Sequence, residues 1–175
     1  TPATTHYGIA RKFLEASKHL LVEKPLCTNF EQSVSLEQLA FENKCVLRVG
    51  HIFMHNLAVI KMRQLIDDGV IGKPLYGTAR RTHLGLIRND VNVVWDLAPH
   101  DISIFNYLFN SIPLSVSATG QKHQATQFED VCFVTLNYPE NISVQILISW
   151  EDANKERSLS IMGNKARLLF DDLNQ

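Results

Sequence analysis

Two groups of side chains in this sequence have the types and spacing of a reaction centre. Lys24 lies in Glu23-Lys24-Pro25, directly after the apolar run His19-Leu20-Leu21-Val22. A run of that kind, stopped by charge and proline, fits a buried strand of a parallel sheet, and such sheets hold ligands beyond the C-terminal ends of their strands. Asp96 and His100 stand four apart in Trp95-Asp96-Leu97-Ala98-Pro99-His100-Asp101. On a helix, positions i and i+4 share a face, so a carboxylate and an imidazole project together. Proline suits only a first turn, so Pro99 predicts that Asp96 is at or near the N-cap. The positive end of the helix would then disfavour the protonated form of His100 and suit it to act as a base. The competing readings are a surface lysine, a plain helix cap and a packed histidine.

Other polar residues cluster near these. His51 and His55 are also four apart, and with Asp96 and His100 they offer donor types that zinc accepts; the pattern favours no metal. Arg80, Arg81 and Arg88 flank the Asp96 segment and suit a diphosphate, although a charged strand edge explains them equally well. Asp101 reads as structural.

The elements that must position these groups follow from the apolar pattern. From residue 1 to about 52, a helix (Thr4 to Ser17), the strand at residues 19–22, a second helix to about Asn43 and a strand (Cys45 to Val49) alternate, which is the grammar of a parallel α/β sheet. Thr28 and Glu31 form a capping-box pattern for the second helix. A third helix covers roughly Asn56 to Asp68 and ends at Gly69. Leu75 to Thr82 reads as a strand, and a loop from Asp90 feeds a helix to about Asn110. Strands follow: Val131 to Tyr138, a turn at Pro139-Glu140-Asn141, the alternating Val144, Ile146, Ile148 and Trp150, then Leu159 to Met162 and Ala166 to Phe170 around Gly163-Asn164. The fold class is therefore α/β plus α+β, with residues 1–52 as one domain and 53–175 as a second, built on an open, mainly antiparallel sheet. Val144, Ile146, Ile148 and Trp150 are expected on an outer face that needs cover.

Composition sets bounds on function. The 175 residues are 45% hydrophobic and 20% charged, with a net charge of -1, so there is no basic footprint for nucleic acid or an anionic membrane. No apolar run reaches the roughly 20 residues of a membrane span. Three widely spaced cysteines fit neither a disulfide framework nor a metal knuckle, and suit a reducing cytoplasm. No two glycines are separated by a single residue, so the GxGxxG cradle for a dinucleotide pyrophosphate is missing from these residues. The chain opens on Thr1 with a turn into a helix, which points to a segment of a larger protein.

An ordered set of motifs resembles the Gfo/Idh/MocA oxidoreductases: Thr1-Pro2 with His6, Glu23-Lys24-Pro25, Val49-Gly50-His51, and Asp96 with His100. The run from Arg88 to Asp101 looks most like the branch acting on nucleotide-linked sugars, the UDP-N-acetylglucosamine 3-dehydrogenase-like enzymes. Ser17 stands where the family usually has glycine, and Phe53-Met54-His55-Asn56 replaces its commoner arginine-phenylalanine-asparagine run.

The resemblance implies the C-terminal part of a Rossmann domain, followed by a substrate and oligomerisation domain of the dihydrodipicolinate reductase/glucose-fructose oxidoreductase type. It implies NAD or NADP as cofactor and hydride transfer to or from a CH–OH carbon of a sugar or nucleotide sugar. Lys24, Asp96 and His100 would be catalytic. Pro2, His6, Glu23, Lys24 and Pro25 would line the cofactor, and His51, Arg88, Asn92 and Trp95 the substrate. A cytoplasmic homodimer or homotetramer formed through the open sheet is expected. The alternative is a truncated, non-catalytic dimerisation or binding module.

Overall fold

The computed structural model describes residues 1–85, 87–124 and 127–174, and divides into two compact units, Thr1–His51 and Ile52–Gln175. In the first unit a 3-10 turn (Ala3–Thr5) leads into α1 (His6–Glu15), followed by β1 (Leu20–Val22), α2 (Phe30–Glu42) and β2 (Leu47–Val49). The two strands pair in parallel, Leu20 with Leu47 and Val22 with Val49. Leu14 and Ala10 of α1 pack with Leu36 and Ala40 of α2, around buried Cys27. α1 stops because Ser17 turns left-handed (φ 55°), letting Lys18 N donate to Phe13 O at 2.9 Å. This is the conformation glycine adopts freely. α2 starts one residue later than the Thr28–Glu31 pattern suggested: Asn29 Oδ1 accepts from Gln32 N at 3.1 Å. Asparagine outranks threonine as an N-cap, and its extended backbone leaves the side chain over the first turn.

The second unit opens with a 3-10 turn (Ile52–His55) and α3 (Leu57–Asp67), capped by Asn56, whose Oδ1 accepts from Ala58 N and Val59 N. Then come β3 (Pro74–Leu84), α4 (Val93–Phe109), β4 (Ser115–Gln121), β5 (Val131–Tyr138), β6 (Ile142–Ser149), β7 (Glu151–Gly163) and β8 (Arg167–Asp171). The sheet has six strands in the order β4-β5-β6-β3-β7-β8. Only β3 and β6 run parallel; the other pairs are antiparallel.

Alternation decides which face is inside. Cys132, Val134 and Leu136 of β5, Val144, Ile146 and Ile148 of β6, and Trp150 just after it are all buried, packed in one core with Leu97, Ile104, Phe105 and Leu108 of α4. Each such aliphatic or aromatic side chain contributes roughly 1.5–3 kcal/mol on burial. α4 presses so close to β3 that a Cβ on Gly77 would lie 2.6 Å from the Phe105 ring. The expectation that Val144, Ile146, Ile148 and Trp150 form an outer face is thus overturned: they are the inner face, under the helix. The open face instead carries Phe133 and Leu169 among polar neighbours such as Thr78, Arg80 and Gln145.

Candidate active site

In the first unit the sequence-predicted residues gather at the C-terminal ends of the two parallel strands. Glu23, Lys24 and Pro25 follow β1, and Gly50 and His51 follow β2. The Lys24–Pro25 peptide is cis. His6, at the start of α1, is buried; its Nδ1 lies 2.8 Å from Pro25 O and its Nε2 lies 3.2 Å from Thr1 O. Both ring nitrogens therefore face main-chain carbonyls. His6 works on this edge through the turn it ties down, and Pro2 belongs to the strand of chain tied with it. Lys24 is half-buried. Burial, followed by the nearby Lys24 ammonium, pushes the His51 imidazole pKa down from its ordinary value. The His51 Nδ1 atom is enclosed and has no hydrogen-bond partner among the described residues.

In the second unit Asp96 is held by Arg88 and Trp150. Arg88 Nη1 donates to its Oδ1 at 3.2 Å, and the Trp150 indole Nε1 donates to its Oδ2 at 3.2 Å. Arg88 in turn grips Asp90 through two bonds of 2.8 and 2.7 Å. The hydrogen bonds to Asp90, foremost, raise the Arg88 guanidinium further and keep it charged. The N-cap of α4 is Asn92, and Asp96 lies near it. Asn92 Oδ1 accepts from Trp95 N at 3.1 Å, while its amide donates to Glu129 Oε2 at 3.1 Å. Pro99 lies inside the helix. Asp96 is consequently in the first turn, and His100 lies a further turn along, where the field of the helix end has faded. Pro99 misled the placement because this helix tolerates an interior proline, at the loss of one main-chain bond.

The three arginines are not free cations awaiting a diphosphate. Arg81 is locked to buried Asp101 by bonds of 2.8 and 3.0 Å, and Arg80 pairs with Glu156 and Asp152. Arg88 stays beside the site as the clamp on Asp96. Trp95 is 38% exposed and offers a partly open indole beside Asp96 in sequence. Among the described residues no three His, Cys, Asp or Glu side chains converge as a metal site requires. Trp150 was missed as a site residue, because sequence periodicity marks it only as a large core side chain.

Family comparisons decide what this arrangement belongs to. Residues 1–51 match the oxidoreductase family with the NAD-binding Rossmann fold, and residues 59–169 match the GFO/IDH/MocA C-terminal domain. The chain belongs to the Gfo/Idh/MocA family. It is 33% identical over 121 residues to the UDP-N-acetylglucosamine 3-dehydrogenase of Acidithiobacillus ferrooxidans, covering 69% of this chain and 37% of that enzyme. It is 30% identical over 126 residues to the scyllo-inositol 2-dehydrogenase (NAD(+)) of Bacillus subtilis, with the same coverage of this chain and 37% of that one. Among solved structures, an inositol dehydrogenase homolog from Azotobacter vinelandii complexed with NADH and myo-inositol superposes with a TM-score of 0.92 at 22% identity, over 99% of this chain and 49% of that one. The chain thus spans about half or less of the length of these relatives.

The Gfo/Idh/MocA assignment permits a test of fit for the dinucleotide. The strand ends in the first unit offer a parallel-sheet edge, an ammonium and an unpartnered buried imidazole nitrogen, which suits a polar ring such as nicotinamide with its carboxamide. The pyrophosphate cradle has no counterpart in these residues, because no two glycines are separated by one residue. The 175 residues therefore fit the nicotinamide end only. No helix of the described residues is long and apolar enough to cross a membrane.

Proposed function

We propose that this chain is the substrate side, with part of the cofactor side, of a dehydrogenase that moves a hydride between NAD or NADP and a CH–OH carbon of a sugar or nucleotide sugar. The observation that carries this reading is the pinned Glu23-Lys24-Pro25 turn at a parallel strand end, in the residues matched by the NAD-binding family. The relatives named above, which act on UDP-N-acetylglucosamine or inositols, support the substrate class.

When bound, nicotinamide supplies the hydride acceptor. Lys24 donates a hydrogen bond to the reacting hydroxyl, and its charge steadies the developing alkoxide. In the second unit His100 is the group suited to accept a proton from the substrate. Asp96, held by Arg88 and Trp150, orients His100 or a substrate hydroxyl. Asn92 and Trp95 serve the substrate in the second unit, Asn92 by capping the helix that carries Asp96 and His100; His51 serves it at the strand ends of the first unit. Pro2, His6, Glu23 and Pro25 shape the cofactor side. The enzyme works in the cytoplasm as a homodimer or homotetramer, joined through the open sheet face around Phe133 and Leu169.

The test uses the full-length oxidoreductase containing these residues, with NAD+ or NADP+ and with myo-inositol and UDP-N-acetylglucosamine as probe alcohols. Lys24→Met and His100→Asn should each lower kcat/KM by roughly 10²-fold or more. Parental turnover in both variants would sink the reading. A second reading, a non-catalytic dimerisation or binding module, is favoured by the missing glycine pair. It predicts that neither NAD+ nor NADP+ raises the melting temperature of the full-length protein.

A further inference from the structure

We propose that Arg81, Phe53 and Asp101 form a positioning unit for the His100 imidazole; this rests on the catalytic reading of His100. Arg81 on β3 is 5% exposed and Asp101 on α4 is 1% exposed, so their ion pair is fully inside the protein. Burial pushes the Asp101 carboxyl up, and the Arg81 guanidinium opposes it. Such pairs contribute little net stability, and apolar replacements of similar volume hold a core as well or better. The pair is therefore not explained by core stability alone.

Its geometry supplies the explanation. The Arg81 guanidinium carbon lies 5.0 Å from the centroid of the Phe53 ring, a cation–π contact in an enclosed setting. Phe53, 7% exposed, meets the His100 ring edge-on, with centroids 5.1 Å apart and planes at 74°. Asp101 is the residue after His100 on the same helix. The contacts thus close a ring: His100 against Phe53, Phe53 under Arg81, Arg81 forked onto Asp101, and Asp101 back to His100 through one peptide unit. The bidentate fork fixes the guanidinium plane, which fixes the Phe53 ring, which limits the rotamers open to His100. Reaction centres are held in this way, by side chains whose own rotamers are locked from behind. Arg81, Phe53 and Asp101 touch no reacting atom in this scheme; they are positioning residues.

The experiment follows the His100 ring directly, by NMR of its carbon-bound ring proton in the full-length oxidoreductase. The expected parent signal is single and narrow. In the double variant Arg81→Met/Asp101→Leu, which keeps Phe53 and the core volume, the His100 signal should move and broaden or split. Arg81→Lys, which keeps a cation but loses the fork, should fall between the two. Phe53→Leu gives an independent arm that leaves the ion pair intact, and it too should yield more than one His100 rotamer. On whichever probe alcohol turns over, kcat should fall about tenfold or more with KM within about twofold, since misplacing a reacting group costs rate rather than binding. An unchanged single His100 signal in the double variant, or in Phe53→Leu if the double variant does not fold, overturns the proposal. Retained turnover in His100→Asn is the different outcome that sinks the catalytic reading itself.

Discussion

The indole N–H of Trp150 points at Oδ2 of Asp96 from 3.2 Å, joining the end of β6 to the first turn of α4. Trp150 is completely buried, so its one polar atom must find a partner inside the protein. The bond ties the core directly to a proposed reacting group. Trp150→Phe keeps most of the packing and removes the donor. We expect a loss of about 1 kcal/mol in urea unfolding, together with a fall in kcat of the full-length enzyme. Unchanged kcat would detach the indole from the site.

Arg81 and Asp101 should behave as a pair. Asp101→Ala leaves a buried guanidinium without its carboxylate and should cost about 3–5 kcal/mol in denaturant unfolding. Arg81→Met/Asp101→Leu should recover most of that loss. A double variant as unstable as the single one would mean that the pair itself holds the unit together.

Ser17 is a site for gain. Its left-handed backbone, φ 55°, costs an L-residue with a Cβ roughly 1 kcal/mol. Ser17→Gly should stabilise the first unit by somewhat less than that, about 0.5 kcal/mol, because glycine is also freer when unfolded. Hydrogen exchange of the α1 amides reads it; faster exchange in the variant would contradict the expectation.

Asp130 gives the acid limb of stability. Burial alone would push its carboxyl up, but the main-chain N–H groups of Gln124 and His123, then the His123 ring, hold it below the usual range. Those bonds are 2.8, 2.7 and 3.0 Å long. A folded-state pKa below the unfolded value means that Asp130 stabilises the fold above about pH 3.9, with the contribution fading as pH falls through the folded value. Urea midpoints from about pH 6 downward should drop less steeply in Asp130→Asn than in the parent across the most acid steps. Parallel curves would rule the group out.

The proposed subunit contact can be tested on Phe133, which is 51% exposed on the open sheet face. Phe133→Glu places a charge there and should convert an oligomer into monomers by light scattering. A parent that is already monomeric would remove the open-face contact.

The helices and the parallel strands of the first unit were legible because their signals are local. Alternation through Val144, Ile146, Ile148 and Trp150 announces a strand, yet period two says only that the four share a face. Which face is inside depends on where α4 packs, and Gly77 beneath Phe105 is the trace of that packing. β4 escaped notice because every one of its residues is exposed and it carries no apolar alternation to the core. Asn92 was readable as an N-cap three residues before Trp95 N, but the weight given to Pro99 moved the helix start. The long-range polar partners were not legible at all. Arg81 with Asp101, and Asp96 with Trp150, are set by tertiary approach between residues far apart in the chain.

The placement of β3 bears on how the second unit comes into being. The strand lies inside the sheet, yet its neighbours arise late in the chain: Tyr76 pairs with Ser143 on one side and Met162 on the other. On a ribosome, β3 and α4 emerge well before either partner exists. The apolar faces meant for the core then stay in water until β6 and β7 have been made. Pairings so distant in sequence carry a loop-closure cost and slow folding. Nascent chains of this unit should therefore be holdase clients until nearly the last strand is out, and a stop between β6 and β7 would leave β3, an inner strand of the finished sheet, as an exposed edge.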